Sequence, residues 1–196
     1  MLTSQIGMDV THIKLVPYNP DWATIFDAEK KRLHHLLHSF EGIKINHIGS
    51  TSMPTVQKAK PIIDILVGVK DNELDLACRI VYEQGLLQKG DCERPYRFAF
   101  TPDRVIMKIY KSHNGKDYGI VRNNLHFTPS DSRIHEDLLL FKRYMCEHPD
   151  QAKQYFKLKE RLVNDCNNNS GLYGFRKETF VRCINDKARE IYGFTD

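Results

Sequence analysis

The chain has no cysteine framework. Its five cysteines, Cys78, Cys92, Cys146, Cys166 and Cys183, are odd in number, irregularly spaced and without a C-x-x-C pair. That excludes a disulfide scaffold and a thiolate zinc site, and reads as reduced cytoplasmic thiols. No apolar run reaches the roughly 18 residues of a spanning helix, and the N-terminus lacks the charged and apolar regions of a signal peptide. The expectation is a cytoplasmic protein with no membrane partner. There is no dense block of one charge either. The 29 Lys and Arg and 25 Asp and Glu give a net +4 spread along the chain, too mild for a nucleic-acid backbone binder and suited to a small anionic ligand. No internal repeat or low-complexity segment is visible, and the absence of G-x-x-x-x-G-K-[ST] excludes a P-loop.

What is present is 196 residues, 41% hydrophobic and 28% charged, ordinary values for a chain that buries one core without staples. Residues 1–12 show no sustained period and read as a loose lead-in. Residues 13–196 read as one domain, with an α/β core over 13–130 and a helical region over 131–196. After the turn marked by Pro17 and Pro20, Trp22, Ile25, Phe26, Leu33, Leu36 and Leu37 recur at helical spacing, predicting a helix from an N-cap at Asp21 to about His38. Ile43 to Ile48 reads as a strand, and Ile62 to Val69, nearly continuous in branched apolar residues, as a strand covered on both faces. Leu74, Cys78, Val81 and Tyr82 predict a second helix stopped by Gly85. Tyr96 to Phe100 and Arg104 to Tyr110 read as a hairpin, and Ile120 to Phe127 as a further strand. Three helices then follow. Their apolar faces are Ile134, Leu138, Phe141 and Met145; then, after Pro149, Ala152, Tyr155, Phe156, Leu162 and Val163; and last Phe180, Ile184, Ala188 and Ile191. Strands and helices mixed early, then helices alone, indicate an α/β or α+β core with a helical C-terminal extension.

The chemistry concentrates in His47-Ile48-Gly49-Ser50-Thr51-Ser52-Met53-Pro54 and in Lys60-Pro61-Ile62-Ile63-Asp64-Ile65-Leu66-Val67. A carboxylate inside an apolar strand costs several kcal/mol unless it is paired or binds a cation. For Asp64 the candidates are Lys60, an Arg or a divalent metal; the alternative is a structural Asp bonded to backbone amides. Gly49, Ser50, Thr51 and Ser52 offer close backbone approach, free amides and three hydroxyls for phosphate oxygens, or else an ordinary strand-to-helix turn. His47 lies in phase with Ile43 and Ile45, so it either closes a strand face or supports a ligand at the turn. His126, alternating with apolar neighbours, has the same two readings. Convergence of both on Asp64 would bind a metal or move a proton. Arg94, Arg97 and Lys108, on or beside the hairpin, either neutralise phosphate or lie on a solvated face. Tyr173 and Lys177, four apart, read as a packing pair.

At these two motifs the chain resembles the GrpB family, which is related to the nucleotidyltransferase superfamily. The likeness extends upstream to Val16-Pro17-Tyr18-Asn19-Pro20-Asp21-Trp22 with Phe26 and Glu29. Downstream it takes in Leu125-His126-Phe127, His148-Pro149-Asp150 with Tyr155 and Lys159, and Tyr173 with Lys177. The resemblance implies a nucleotidyltransferase-like mixed β-sheet flanked by helices, and relatives occasionally fused to dephospho-CoA kinase. In the superfamily a glycine-serine turn holds nucleotide phosphates, and carboxylates on following strands bind Mg²⁺. Ser50 and Asp64, with residues 51–63 between them, are compatible with that pattern. There are departures. Leu66 stands where a second carboxylate is usual, Thr55 where relatives have glycine, and Asn124-Leu125-His126 where they tend to show His-Leu-His. The stretch Lys142-Arg143-Tyr144-Met145-Cys146 is altered as well.

Two readings follow. One is a nucleotidyl- or phosphoryl-transferase acting on an NTP with one Mg²⁺, with Asp64 and His126 catalytic and metal-binding. Gly49, Ser50, Thr51, Ser52, Lys60, Arg94, Arg97 and Lys108 would then hold phosphate, and His47 would support the turn. The other is a non-catalytic nucleotide- or phosphometabolite-binding accessory protein, linked to coenzyme A metabolism, with its helical region as a partner surface.

Overall fold

The computed structural model of the chain describes residues 8–9, 13–81, 97–101, 104–112, 120–167 and 169–193; for 9, 97–101, 104–112, 120–122, 170 and 171 it describes the backbone only. In chain order the strands are β1 (Met8–Asp9), β2 (Val16–Pro17), β3 (Lys44–Ile48), β4 (Lys58–Ala59), β5 (Ile63–Val69), β6 (Arg97–Thr101), β7 (Arg104–Ser112) and β8 (Ile120–Pro129). The helices are α1 (Asp21–Leu36), α2 (Leu74–Val81), α3 (Arg133–Glu147), α4 (Pro149–Asp165) and α5 (Ser170–Tyr192). The main sheet runs β3-β5-β8-β7-β6, with β1 paired to the start of β8, while β2 and β4 form a separate ribbon. Among the described residues β5 and β8 pair in parallel and the other ladders are antiparallel. This is the mixed sheet flanked by helices that the sequence leads one to expect, with the helical region following it.

β5 lies between β3 and β8, so both its edges are paired, and every residue of the strand except Asp64 is buried. One face carries Ile63, Ile65, Val67 and Val69, joined by Ile45, Leu125 and Phe127. It packs on Trp22, Phe26 and Leu33 of α1 and on Leu74, Ala77, Cys78 and Val81 of α2. Asp64, Leu66 and Gly68 fall on the opposite face by the alternation of a strand. A second core joins Met53 and Val56 to Leu140, Phe141, Tyr144 and Met145 of α3, Ala152 and Tyr155 of α4, and Ile184 and Ala188 of α5. The helical region is therefore docked onto the segment that follows the Gly49 turn.

Several boundaries differ from expectation for local reasons. Within the stretch read as a loose lead-in, Met8–Asp9 pairs with Ile120 and Val121. Asp21 is the first helical residue, not the cap; Asn19 Oδ1 accepts its N–H at 2.9 Å. Ile191 is 57% exposed, and Tyr192, four residues after Ala188, packs on the second core in its place. The expected stop at Tyr82 to Gly85 lies outside the described residues. Among those described, no helix is long and apolar enough to cross a membrane.

Two buried histidines brace the sheet. His47 lies on the α1 side, its ring stacked on Phe26 at 4.7 Å. His135, in the first turn of α3, bonds Thr128 Oγ1 through Nδ1 at 2.8 Å. It sits so close to Gly68 that a Cβ there would lie 2.5 Å from its ring. Burial pushes both down to about 4, helped by the charge of Lys142 at His47 and of Lys44 at His135. Both fold neutral, while the unfolded chain protonates them near 6.5, so stability is expected to fall as pH drops from 6.5 to 4. The slope reaches at most about 2.7 kcal/mol per pH unit for two protons. Urea denaturation across that window checks it, and His135→Gln should remove about half the slope; an unchanged slope would contradict the assignment.

Candidate functional site

β3 ends at Ile48, directly across the ladder from Asp64. The chain then turns at Gly49 with φ 69° and ψ −177° into a single 3-10 turn over Ser50–Ser52. That backbone disfavours any side chain, and here the space is also taken: a Cβ on Gly49 would lie 2.2 Å from Asp64 Oδ2. The glycine thus lets the turn close directly onto the carboxylate.

Asp64 finds its partners on β8. The register sets Asp64 beside Asn124 and Leu66 beside His126. Asn124 Nδ2 donates to Asp64 Oδ1 at 2.9 Å, and His126 Nε2 lies 3.3 Å from the same oxygen. Burial works to raise the Asp64 carboxyl. The His126 hydrogen bond and charge, the Asn124 amide and the Lys177 ammonium outweigh it and hold the group below the ordinary carboxylate value. The Asp64 side chain is 27% exposed, so the pair opens to solvent on one side.

The helical region supplies positive charge. Lys159 of α4 is 2% exposed, and its Nζ donates to Ser50 Oγ at 3.1 Å and to the Lys58 carbonyl at 2.8 Å. Its Nζ also lies 4.9 Å from the Tyr155 ring centre. Burial first, then the charges of Lys177 and Lys60, push it down to about 7 against the opposing pull of Asp64. Lys60 and Lys177 both sit over the Tyr173 ring, at 4.2 and 5.3 Å. Three lysines from three segments are thus gathered beside one turn and one carboxylate.

The site residues expected from the sequence divide accordingly. Gly49, Ser50, Lys60, Asp64 and His126 come together. Thr51 and Ser52 are instead committed to the turn: Thr51 Oγ1 donates to the Ile62 carbonyl at 3.2 Å, and Ser52 Oγ donates to the Gly49 carbonyl at 2.8 Å. His47 does not share the Asp64 face. With the Thr51 proton already given to Ile62, His47 Nε2 donates to Thr51 Oγ1 at 3.0 Å, which holds the turn from behind. Convergence of the two histidines on Asp64 is therefore not what the fold produces. Arg97 pairs across the ladder with Lys108, and Lys108 with His126, so the three lie in one row with Leu66. Arg94 lies outside the described residues. Lys159 and Lys177 enter the sequence reading as points of likeness to the family, and Tyr173–Lys177 also as a packing pair, but neither as a site residue. Their shared signal is Tyr-x-x-x-Lys, present as Tyr155–Lys159 and Tyr173–Lys177, with each ammonium over its own tyrosine.

One Mg²⁺ suits this donor set better than two. A single carboxylate, supplemented by ligand phosphate oxygens, is a sufficient protein contribution to one ion. The buried Asn124 Oδ1, which has no hydrogen-bond partner, is a further oxygen donor on the neighbouring strand. Leu66 is wholly buried and gives nothing to a second ion. Among the described residues no group of three or more His, Cys, Asp and Glu gathers to hold a metal.

A family profile described as GrpB protein matches residues 12–187. The chain belongs to the GrpB family. YqkA of Bacillus subtilis (strain 168) is 30% identical over 178 residues, 90% of this chain; the chain spans 47% of that relative's length. The crystal structure of the conserved protein GrpB from Enterococcus faecalis is 27% identical and superposes with a TM-score of 0.70, covering 91% of this chain and 99% of that one. The fold is also shared, as fold alone, with a chain of the GLD-2/RNP-8 complex at a TM-score of 0.50 and 8% identity, over 74% of this chain and 43% of that one.

Two outcomes test the geometry. Gly49→Ala should destabilise the protein by about 2–5 kcal/mol, the sum of left-handed strain and overpacking against Asp64, as read by chemical denaturation. Because Lys159 folds with a value near 7 against 10.5 when unfolded, the unfolded chain holds the extra proton between them. Stability should therefore gain up to about 1.4 kcal/mol per pH unit from pH 7 to 10, and Lys159→Met should lose that increment in melts across the range.

Proposed function

We propose that this chain binds a nucleotide or related phosphorylated ligand and transfers a nucleotidyl or phosphoryl group from an NTP with one Mg²⁺. The observation that carries the reading is the gathering of Lys60, Lys159 and Lys177 around the Gly49-Ser50 turn beside the lone carboxylate Asp64. Lysines crowded together, one of them buried against the others, cost stability that an anion recovers. Ser50 donates its hydroxyl to a phosphate oxygen, while Lys60 and Lys177 offset the charge that develops on the transferring group. Asp64 would hold the Mg²⁺, which when bound supplies charge neutralisation at the phosphate oxygens. His126 orients Asp64 through Nε2 and holds or moves a proton there. Arg97 and Lys108 are in register with His126 along the sheet. Free cysteines at Cys78, Cys146, Cys166 and Cys183 support a cytoplasmic setting.

A second reading is favoured by Leu66: a nucleotide- or phosphometabolite-binding accessory protein without catalysis, linked to coenzyme A metabolism. Melting of wild type and Asp64→Asn across NTPs and coenzyme A precursors, with and without Mg²⁺, followed by product analysis, separates them. Transfer predicts a Mg²⁺-dependent rise in melting temperature in the wild type. In Asp64→Asn that rise should be lost and turnover should drop by at least about 100-fold. A shift indifferent to Mg²⁺ with no product selects the accessory reading, and no shift with any ligand overturns both.

A further inference from the structure

Lys159 is too deeply buried to be a simple contact for an incoming anion, yet it touches the residue that is exposed to one. Its Nζ is bonded to two oxygens that differ in kind. The Lys58 carbonyl, at 2.8 Å, only accepts, and so takes a proton from Lys159 whether the amine is charged or neutral. Ser50 Oγ, at 3.1 Å, both donates and accepts. When the amine is charged it donates to Ser50, leaving the Ser50 hydroxyl proton free to point at a ligand. When the amine is neutral its lone pair takes the Ser50 proton, and the hydroxyl is turned inward.

The charged and titratable groups around Lys159 favour the neutral form until an anion arrives. Tyr155 of its own helix presents a ring face at 4.9 Å. Lys60, following β4, and Lys177 of α5 add like charge, and Asp64 of β5 opposes them. The neighbouring Lys58 ammonium is turned to Glu160 at 2.8 Å, and the Tyr173 hydroxyl is held protonated by burial. None of the ion pairs formed by the described residues includes Lys159. A phosphate at Ser50 supplies the missing negative charge.

We propose that Lys159 is a positioning residue that presents the Ser50 hydroxyl to a phosphorylated ligand only when its own amine is charged, so that the ligand and one proton bind together. This rests on the reading of the turn as a phosphate site. The ordinary value near 10.5 of an exposed lysine would leave nothing to couple at neutral pH; the displacement to about 7 places the exchange in the working range.

The test is calorimetric titration of the full chain with ATP and Mg²⁺ at pH 8, in two buffers of different ionisation enthalpy, alongside Lys159→Met, Lys159→Arg and Ser50→Ala. Wild type should take up about one proton per ATP more than Lys159→Met, whose value removes the titration of the phosphates themselves. Its affinity should weaken by up to about tenfold per pH unit between pH 7 and 9. Lys159→Arg, always charged, should bind with no such slope. Ser50→Ala should lose the uptake along with the affinity. Equal proton uptake in wild type and Lys159→Met overturns the proposal. Uptake that persists in Ser50→Ala overturns the route through Ser50. Absence of ATP binding by wild type at every pH overturns instead the phosphate-site reading on which it rests.

Discussion

A single ionised carboxylate in the middle of the sheet constrains everything around it. Asp64 sits in a strand whose other residues are buried, where an unpaired charge costs several kcal/mol. The constraint is met from three directions. The parallel neighbour β8 supplies the Asn124 amide and the His126 ring, so the β5/β8 register must hold to the residue. A slip by one would turn Asn124 and His126 to the apolar face. The preceding strand must be followed by a glycine, because no other residue allows the turn to pass over Asp64 Oδ2. The helices must come close enough for Lys177 to act on the same group.

The third requirement gives the helical region its place. α3, α4 and α5 bury Met53 and Val56, the residues just after the turn, so the apolar docking and the delivery of lysines are one event. Tyr155 shows the connection within one side chain. Its ring packs edge-on against Phe141 at 5.5 Å and stacks on Phe180 at 5.4 Å, and it also lies beneath the Lys159 ammonium. Gathering three ammonium groups works against stability, and the hydrophobic contacts of the second core are what the fold sets against it. A region that reads in sequence as an appendage is thus a wall of the site.

How far these features are legible in the sequence depends on the range of the interaction. The β5 strand, the first helix and the Gly49-Ser50 turn are local patterns, visible as a branched apolar run, a helical period and a small-residue cluster. Pairing of Asp64 with His126 spans 62 residues, and no period or propensity encodes which residue of β8 stands opposite. Lys159 reaches the turn across 109 residues and looks from its own neighbourhood like one more lysine on a charged helix. His47 was legible as half-buried but not as to its face, because alternation gives phase and not sign: Ile45 turns out to face α1, and His47 follows it. Thr51 and Ser52 misled for another reason. A hydroxyl in a tight turn is as well suited to nearby carbonyls as to a ligand, and only the geometry shows that Thr51 and Ser52 both donate to carbonyls while Ser50 Oγ meets Lys159 instead.

Leu66 sharpens what chemistry such a site performs. In a strand the residue two on from Asp64 shares its face, so a carboxylate there would stand beside His126 in the ladder and complete a second metal position. A wholly buried leucine at that point excludes water from the His126 side of the pair and leaves Asp64 as the one carboxylate of its strand. The surroundings are then net positive, with three lysines against one carboxylate. A free cation gains little by entering alone, whereas an anion gains immediately. On the proposed reading, this balance favours the ligand first, and a divalent ion would then meet a phosphate already in place. The protein would offer such an ion the Asp64 carboxylate and the orphaned Asn124 Oδ1, leaving the rest of its shell to the ligand and to water.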